Sequence, residues 1–507
     1  MQRTDRIVFN SFILYGKIVV SMAISLITVP IVLHALGEDD FGLFNLVAGI
    51  VAMLAFLNGT MTVSTQRYLS VTIGQADPSR LLQVYNLSIV LHAIIGLFVV
   101  ILIESALPLL LQHALNIQPE QHDAALLLFH TLAASMFLSI ITVPFDAVLN
   151  AYENMVFFSL MGIVESVLKL CLAFSLTFFA SGKLEYYAFS LTAISLILLV
   201  VKFVYCQRKY KKLSICLKSC RNVALLKEMF LFAGWNTLTS LSVVGRLQGI
   251  AIIFNHFFGT IINAAYGIAN QVGGVLGYFS ATIQKSINPQ LMESEGRHDP
   301  ARLQMLTFAL TKYSSLILMA IALPLLLEMP YIMRLWIGDV PAYTVDFSRL
   351  VILLSIITQL SAGLMSAIQS SGRIKWYAIV ISSITLATIP LAYLALHYGL
   401  SPVVVLFTAC AVELIAFAAR LWFARHIQSI PVWSYISQTI IPNLLLAACA
   451  TLCLYGIQQL LSPSLFRLVT LCLADIVLMS VGSFYCIFNT EEKTYITNKI
   501  QLLLKTR

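Results

Sequence analysis

At 507 residues, with 59% hydrophobic and only 11% charged side chains, the chain carries more apolar surface than a soluble core of that length can bury. Composition therefore excludes a soluble enzyme or binding module and defines an integral membrane protein. The formal net charge of +8 is not a nucleic-acid signal, because the basic residues concentrate in short loops on one side of the predicted spans.

A membrane span needs about 20 apolar residues. Such runs fall near 7–35, 41–70, 82–111, 123–149, 154–180 and 184–205. They resume near 228–258, 261–290, 302–328, 345–371, 374–397 and 401–423, and a last pair follows near 436–458 and 464–488. The first run is too long for a signal-peptide core and has no small-residue cleavage site behind it, so it is expected to be retained. The runs lack the period-two alternation of a barrel wall. The expected fold class is an all-α membrane protein of about 14 transmembrane helices, two pseudo-symmetric six-helix lobes plus a C-terminal helix pair. The expected boundaries are 1–206 for the first lobe, 207–227 for a basic linker, 228–424 for the second lobe and 425–507 for the additional pair and tail.

The two lobes are related by a repeat. Shifted by 222 positions, residues 1–81 overlay a later stretch without a gap. His34 falls on His256, Gly37 on Gly259, Thr60 on Thr282 and Ser64 on Ser286. The match is densest where Gly74, Asp77, Pro78, Arg80 and Leu81 meet Gly296, Asp299, Pro300, Arg302 and Leu303. A weaker echo, ALPLLL at Ala106–Leu111 and again at Ala322–Leu327, has an offset of 216. A duplicated helical bundle in a membrane protein points to two lobes around a central cavity, and so to transport.

Arg3, Arg6, Arg80, the basic residues of 207–227, Arg297, Arg302, Arg373, Lys375, Arg425 and the tail lysines share one side. The other side holds little beyond Lys183, Arg334, Arg349 and Arg467. The positive-inside rule places the first set, and both termini, in the cytoplasm. A reporter inserted within Lys209–Arg221 or fused after Arg507 is expected to read cytoplasmic, and one at Gly338 external. An external C-terminus would overturn the count of spans.

Charges within spans are costly, so each is a functional hypothesis. Lys17 shares a helical face with Asn10, Ser21, Ser25 and Thr28, and the repeat-related face of span seven carries Asn236, Thr239, Ser242 and Arg246. Arg67 and Lys285 add a cation to spans two and eight. Together these four cations are expected to form an anion-binding wall, with Ser21, Asn236 and Thr239 as polar partners. Against this, Arg67 and Lys285 lie near span ends, where long side chains snorkel to headgroups; mid-span Arg246 has no such exit. Glu165 and Lys169, four apart, make a structural ion pair or a coupling site. Asp146, which follows Pro144, and Glu413 are further acids able to carry a coupling ion, and Asp475, a lone acid in the last span, is likewise able to carry a proton. The cysteines lack the spacing of a zinc or disulfide framework. There is no phosphate-binding GxxxxGK[ST] loop and no catalytic motif, so neither ATP hydrolysis nor an enzyme activity is expected, and no metal or cofactor.

Three stretches look familiar: NSFILYGKIVVSMAISLITVPIVLHALGEDDFGLFNL (Asn10–Leu46), LWIGDVPAY (Leu335–Tyr343) and AIQSSGRIKWY (Ala367–Tyr377). With the span count, the repeat and the cationic helices, the chain resembles the polysaccharide transporter family, the O-antigen and capsule flippases of the multidrug/oligosaccharidyl-lipid/polysaccharide exporter superfamily. The resemblance covers the whole chain and rests on pattern, since the family has no short diagnostic motif. It implies a polyprenyl-pyrophosphate-linked oligosaccharide as substrate, a bacterial inner membrane, H+ or Na+ as coupling ion, and glycan polymerase and glycosyltransferases as partners. The alternatives are a multidrug and toxin extrusion antiporter of the same superfamily, a lipid II flippase, and a non-transporting scaffold of glycan assembly. The cationic sign of spans one and seven argues against the drug pump, and a buried Arg246 against the scaffold.

Overall fold

The computed structural model describes residues 3–52, 54, 56–109, 122–179, 182–216, 222–490, 492–494 and 497–498. Part of the basic linker (Lys218, Cys220, Arg221), the end of the first ALPLLL stretch and the last tail lysines lie outside them. Among the described residues the regular structure is helical throughout. The helices are α1 (Arg3–Leu36), α2 (Glu38–Ala52), α3 (Phe56–Gly74), α4 (Pro78–Leu109), α5 (His122–Ala151), α6 (Met155–Ser175), α7 (Lys183–Lys209) and α8 (Val223–Gly296), the last being two helices joined at a kink at Gly259. They continue as α9 (Pro300–Ile337), α10 (Thr344–Gln359), α11 (Ala362–Ser371), α12 (Lys375–His397), α13 (Val403–Gln428), α14 (Val432–Tyr435), α15 (Ile441–Leu460) and α16 (Leu465–Gly482).

Among the described residues, eleven helices are long and apolar enough to cross a membrane, or twelve with α10 and α11 counted as one span bent by 45°. The two expected spans that fall short are 41–70 and 261–290, which are related by the repeat. Both are helical, but their composition is mixed. α3 places Asn58, Thr60, Thr62, Ser64, Thr65, Gln66, Arg67, Ser70 and Thr72 on a single helix of 19 residues. The second half of α8 carries Asn263, Asn270, Gln271, Gln284, Lys285 and Asn288 among several glycines. Such helices need protein around them, and the second half of α3 is buried on nearly every face.

The chain forms two compact units, Met1–Ser240 with Asn288–Asp299, and Leu241–Ile287 with Pro300–Arg507. The division thus falls inside α8, after Ser240, beside the expected linker at 207–227. In the first unit α5 packs on α2, α3, α4 and α7, while α1 packs on α6. Its core joins Val47, Val99, Leu128, Phe129, Ile140 and Ala188. Small polar side chains staple α5 to α7: Ser135 bonds Ser195 at 3.0 Å, and Thr192 donates to the Thr131 carbonyl at 3.0 Å.

In the second unit α13 packs on α10, α11 and α12, and α9 packs on α10, α11, α15 and α16. Its core centres on Phe254, with Tyr266 at 5.4 Å and Phe347 at 5.1 Å between ring centroids. The break between α10 and α11 is satisfied from outside, as a helix interrupted at membrane depth requires. Tyr435 donates its hydroxyl to the Leu360 carbonyl at 2.8 Å, and the Thr311 hydroxyl accepts the Gly363 amide at 2.8 Å.

The repeat survives in backbone detail. Gly37 and Gly259 both have positive φ, 86° and 74°, and Ala76 and His298 both have φ of 54°. The ends of α3 and α8 meet within the first unit at a pair of glycines. A Cβ on Gly74 would lie 2.2 Å from the Glu293 carbonyl oxygen, and one on Gly296 would lie 1.9 Å from the Val71 carbonyl oxygen. Position 71 is the repeat equivalent of 293, as 74 is of 296. The contact is therefore reciprocal, the signature of a local two-fold axis.

Candidate functional site in the intramembrane ionic clusters

Each unit gathers a cluster of charged side chains within its spans, half-buried in the first unit and buried in the second. In the second unit, Glu413 on α13 sits between two arginines. Its Oε2 accepts from Arg246 on α8 at 3.1 Å, and its Oε1 accepts from Arg420, two turns along α13, at 2.7 Å. Arg420 also donates to the Ser361 hydroxyl at 3.0 Å, at the break between α10 and α11. Arg246, Glu413 and Arg420 are 7%, 2% and 5% exposed, so none reaches solvent as a free charge. A guanidinium this far from either end of its span requires a counter-charge. Glu413 supplies it, and the cluster retains one excess positive charge.

In the first unit, Lys202 on α7 pairs with Asp146 on α5 at 2.8 Å, and Lys169 pairs with Glu165 on α6 at 2.7 Å. Lys17 on α1 lies between these pairs, feeling the attraction of Glu165 and Asp146 and the repulsion of Lys202. Its ammonium stands 4.8 Å from the centre of the Phe158 ring, which Lys202 approaches to 6.0 Å. The stem of Lys17 lies against α6 where Gly162 has no side chain; a Cβ there would sit 2.2 Å from the Lys17 Cε. Three cations thus face two acids. The same helices carry buried polar groups with no hydrogen-bond partner among the described residues: the Asn10 Nδ2 on α1, both polar atoms of Asn150 on α5 and the Ser159 hydroxyl on α6.

The remaining sequence-predicted residues are placed as follows. Ser21 accepts from the Ser166 hydroxyl at 3.0 Å. Asn236 and Thr239 donate to the Phe232 and Trp235 carbonyls one turn back, at 3.3 and 3.1 Å. Arg67 does not snorkel: it is 7% exposed, with its guanidinium 4.7 Å from the Tyr68 ring and 4.9 Å from the Phe232 ring. Glu228 and Glu295 attract it, and Tyr68 bonds Glu228 at 3.2 Å. Lys285 is half-buried on α8. Sequence reasoning missed Lys202 and Arg420. Their signal was present, since each is a charge inside a predicted span, and Arg420 lies seven residues from Glu413 on the same helical face.

No protein-family model matches the sequence, and a comparison with curated proteins finds no match. Solved structures do match. A multidrug resistance MATE family transporter of the MOP superfamily, in an outward-facing conformation, superposes with a TM-score of 0.73 at 15% identity. That match covers 85% of this chain and 97% of the other. A MATE structure in the straight conformation gives 0.70 at 16% identity, covering 85% and 97%. A MOP superfamily transporter from Pyrococcus furiosus, described as having a binding pocket of reversed polarity that suggests a different function, gives 0.69 at 14%, covering 85% and 96%. The fold is that of MATE transporters.

Proposed function

We propose that the chain is a secondary transporter, not an enzyme, that works by alternating access and moves an anionic, lipid-linked substrate. The substrate class is a polyprenyl-pyrophosphate-linked oligosaccharide, carried from the inner to the outer face of a bacterial cytoplasmic membrane, with both chain termini in the cytoplasm. The observation that carries this reading is the sign of the intramembrane clusters. Lys17, Lys169 and Lys202 outnumber Asp146 and Glu165, and Arg246 and Arg420 outnumber Glu413. An excess cation in a poorly hydrated setting is completed by a phosphate oxygen. The α10–α11 break beside Arg420 is the kind of discontinuous helix that transporters place at substrate and ion sites. Glu165, Asp146 and Glu413 are the acids available to H+ or Na+, and glycosyltransferases and a glycan polymerase would be its partners.

A second reading, a multidrug and toxin extrusion antiporter, is favoured by the fold neighbours themselves. Charge separates the two. A drug cation about 4 Å from an unscreened ammonium meets several kcal/mol of repulsion. A deletion strain is expected to strand lipid-linked glycan on the inner leaflet, with reduced surface polysaccharide and unchanged resistance to ethidium-like dyes. Dye sensitivity with intact surface glycan would end the flippase reading in favour of the antiporter. Accumulated lipid II without loss of surface polysaccharide would redirect it to lipid II.

A further inference from the structure

The C-terminal helix pair lies outside the repeat, yet it buries two carboxyls in contrasting states. α16 packs on α9 and α15. Glu328 on α9 and Asp475 on α16 are both 0% exposed. Glu328 is fully answered: Arg467 donates to Oε2 at 2.8 Å and Gln458 donates to Oε1 at 3.0 Å. Asp475 lies eight residues further into α16, near mid-span, and neither of its oxygens has a hydrogen-bond partner among the described residues. An ionised carboxylate buried without donor or counter-charge takes up a proton instead.

We propose that Asp475 is a proton-binding site of the C-terminal helix pair, holding its proton while α16 is packed and releasing it as α16 leaves α9. The step is a simple one: the carboxyl loses H+ to water and becomes a carboxylate, which the apolar seam does not tolerate. The groups on the surrounding elements do not offset that charge. On α16, Arg467 is committed to Glu328 and to the Leu461 carbonyl, and Cys472, one turn before Asp475, carries a thiol and no counter-charge. On α9, Lys312 pairs with Glu492 at 2.5 Å, and Tyr313 bonds the same carboxylate. On α15, Cys449, Cys453 and Tyr455 are exposed, as are Tyr485 and Cys486 on the segment that continues α16. The site is distinct from the two ionic clusters and does not depend on which substrate the transporter carries.

The test uses the purified full-length protein in liposomes, without substrate. Infrared spectra at neutral pH are expected to show the carbonyl band of a protonated carboxylic acid, absent in Asp475→Asn. Hydrogen exchange over residues 441–482, corrected for intrinsic rates, is expected to rise severalfold as alkaline pH removes that band. Asp475→Asn and Asp475→Leu, which keep the seam neutral, are expected to exchange slowly at every pH. The proposal is overturned if the neutral-pH band is unaffected by Asp475→Asn, or if wild type and variants share one pH profile. It is equally overturned if both variants fail to fold, since that would mean an ionised group is required there.

Discussion

Glu413→Ala is expected to cost the second unit about 3–5 kcal/mol and to remove most folded protein from the membrane. The two arginines that Glu413 separates, at 3.1 and 2.7 Å, would be left as buried cations facing each other with no anion between them. Arg246→Ala removes only one of those contacts. Glu413 keeps its bond to Arg420, and the loss is that of one charge-assisted hydrogen bond, about 1.5–3 kcal/mol. The alanine variant is therefore expected to reach the membrane at a nearly normal level and yet to lose glycan export, because the excess positive charge of the cluster is gone. Arg246→Lys keeps the charge without the planar fork and should retain part of the activity. Thermal unfolding in detergent, together with an export assay on the same preparations, separates the two effects. Equal stability of Glu413→Ala and wild type would show that the cluster does not hold the unit together. Normal export by Arg246→Ala would remove the central residue of the anionic-substrate reading.

The second large effect is expected at the glycine crossing. Gly296→Val puts a branched side chain where even a Cβ would meet a backbone oxygen at 1.9 Å, and Gly74→Val does the same at 2.2 Å. A backbone carbonyl cannot rotate aside as a side chain can, so the ends of α3 and α8 must separate. Each substitution is expected to cost at least about 1–3 kcal/mol. The double variant should cost less than the sum, because either change alone already opens the shared contact. Gly267→Ala is the control: it lies in the same long helix, and a Cβ there meets nothing within 4 Å. A Gly296→Val protein that melts with the Gly267→Ala control would mean that the two helix ends part without cost.

Much of this architecture was legible in the residues. Apolar run lengths placed nearly every helix, and the shift of 222 positions paired Gly37 with Gly259, which both have positive φ. The Glu165–Lys169 pair followed from helical spacing alone. Tertiary pairing was not legible. Arg246 and Glu413 are 167 positions apart, and Asp146 and Lys202 are 56 apart, so no periodicity links them. A charge in a span announces that it needs a partner without saying which helix brings it. The two readings of Arg67 were left open for a related reason. Its closeness to a helix end suggested an escape to headgroups, whereas Tyr68 and the sequence-distant Phe232 enclose it. Spans two and eight read as membrane-crossing because apolar residues are frequent in them. The polar residues between, which set them apart from the lipid-facing helices, count against them only once hydropathy is averaged along the helix.

The division inside α8 has a consequence for how the protein is made. The first unit contains Met1–Ser240 but also Asn288–Asp299, which the ribosome adds only after residues 241–287, a piece of the second unit. At about 5–20 residues per second, the nascent first unit must wait roughly 3–12 s for the segment that brings Gly296 to Val71 and Gln290 to Glu153. During that interval the polar helix α3 lacks the last neighbour of its C-terminal end. Biogenesis thus contains a window in which a half-made chain exposes its least lipid-compatible helix to chaperones and proteases. A chain stopped at the basic linker would never leave that window.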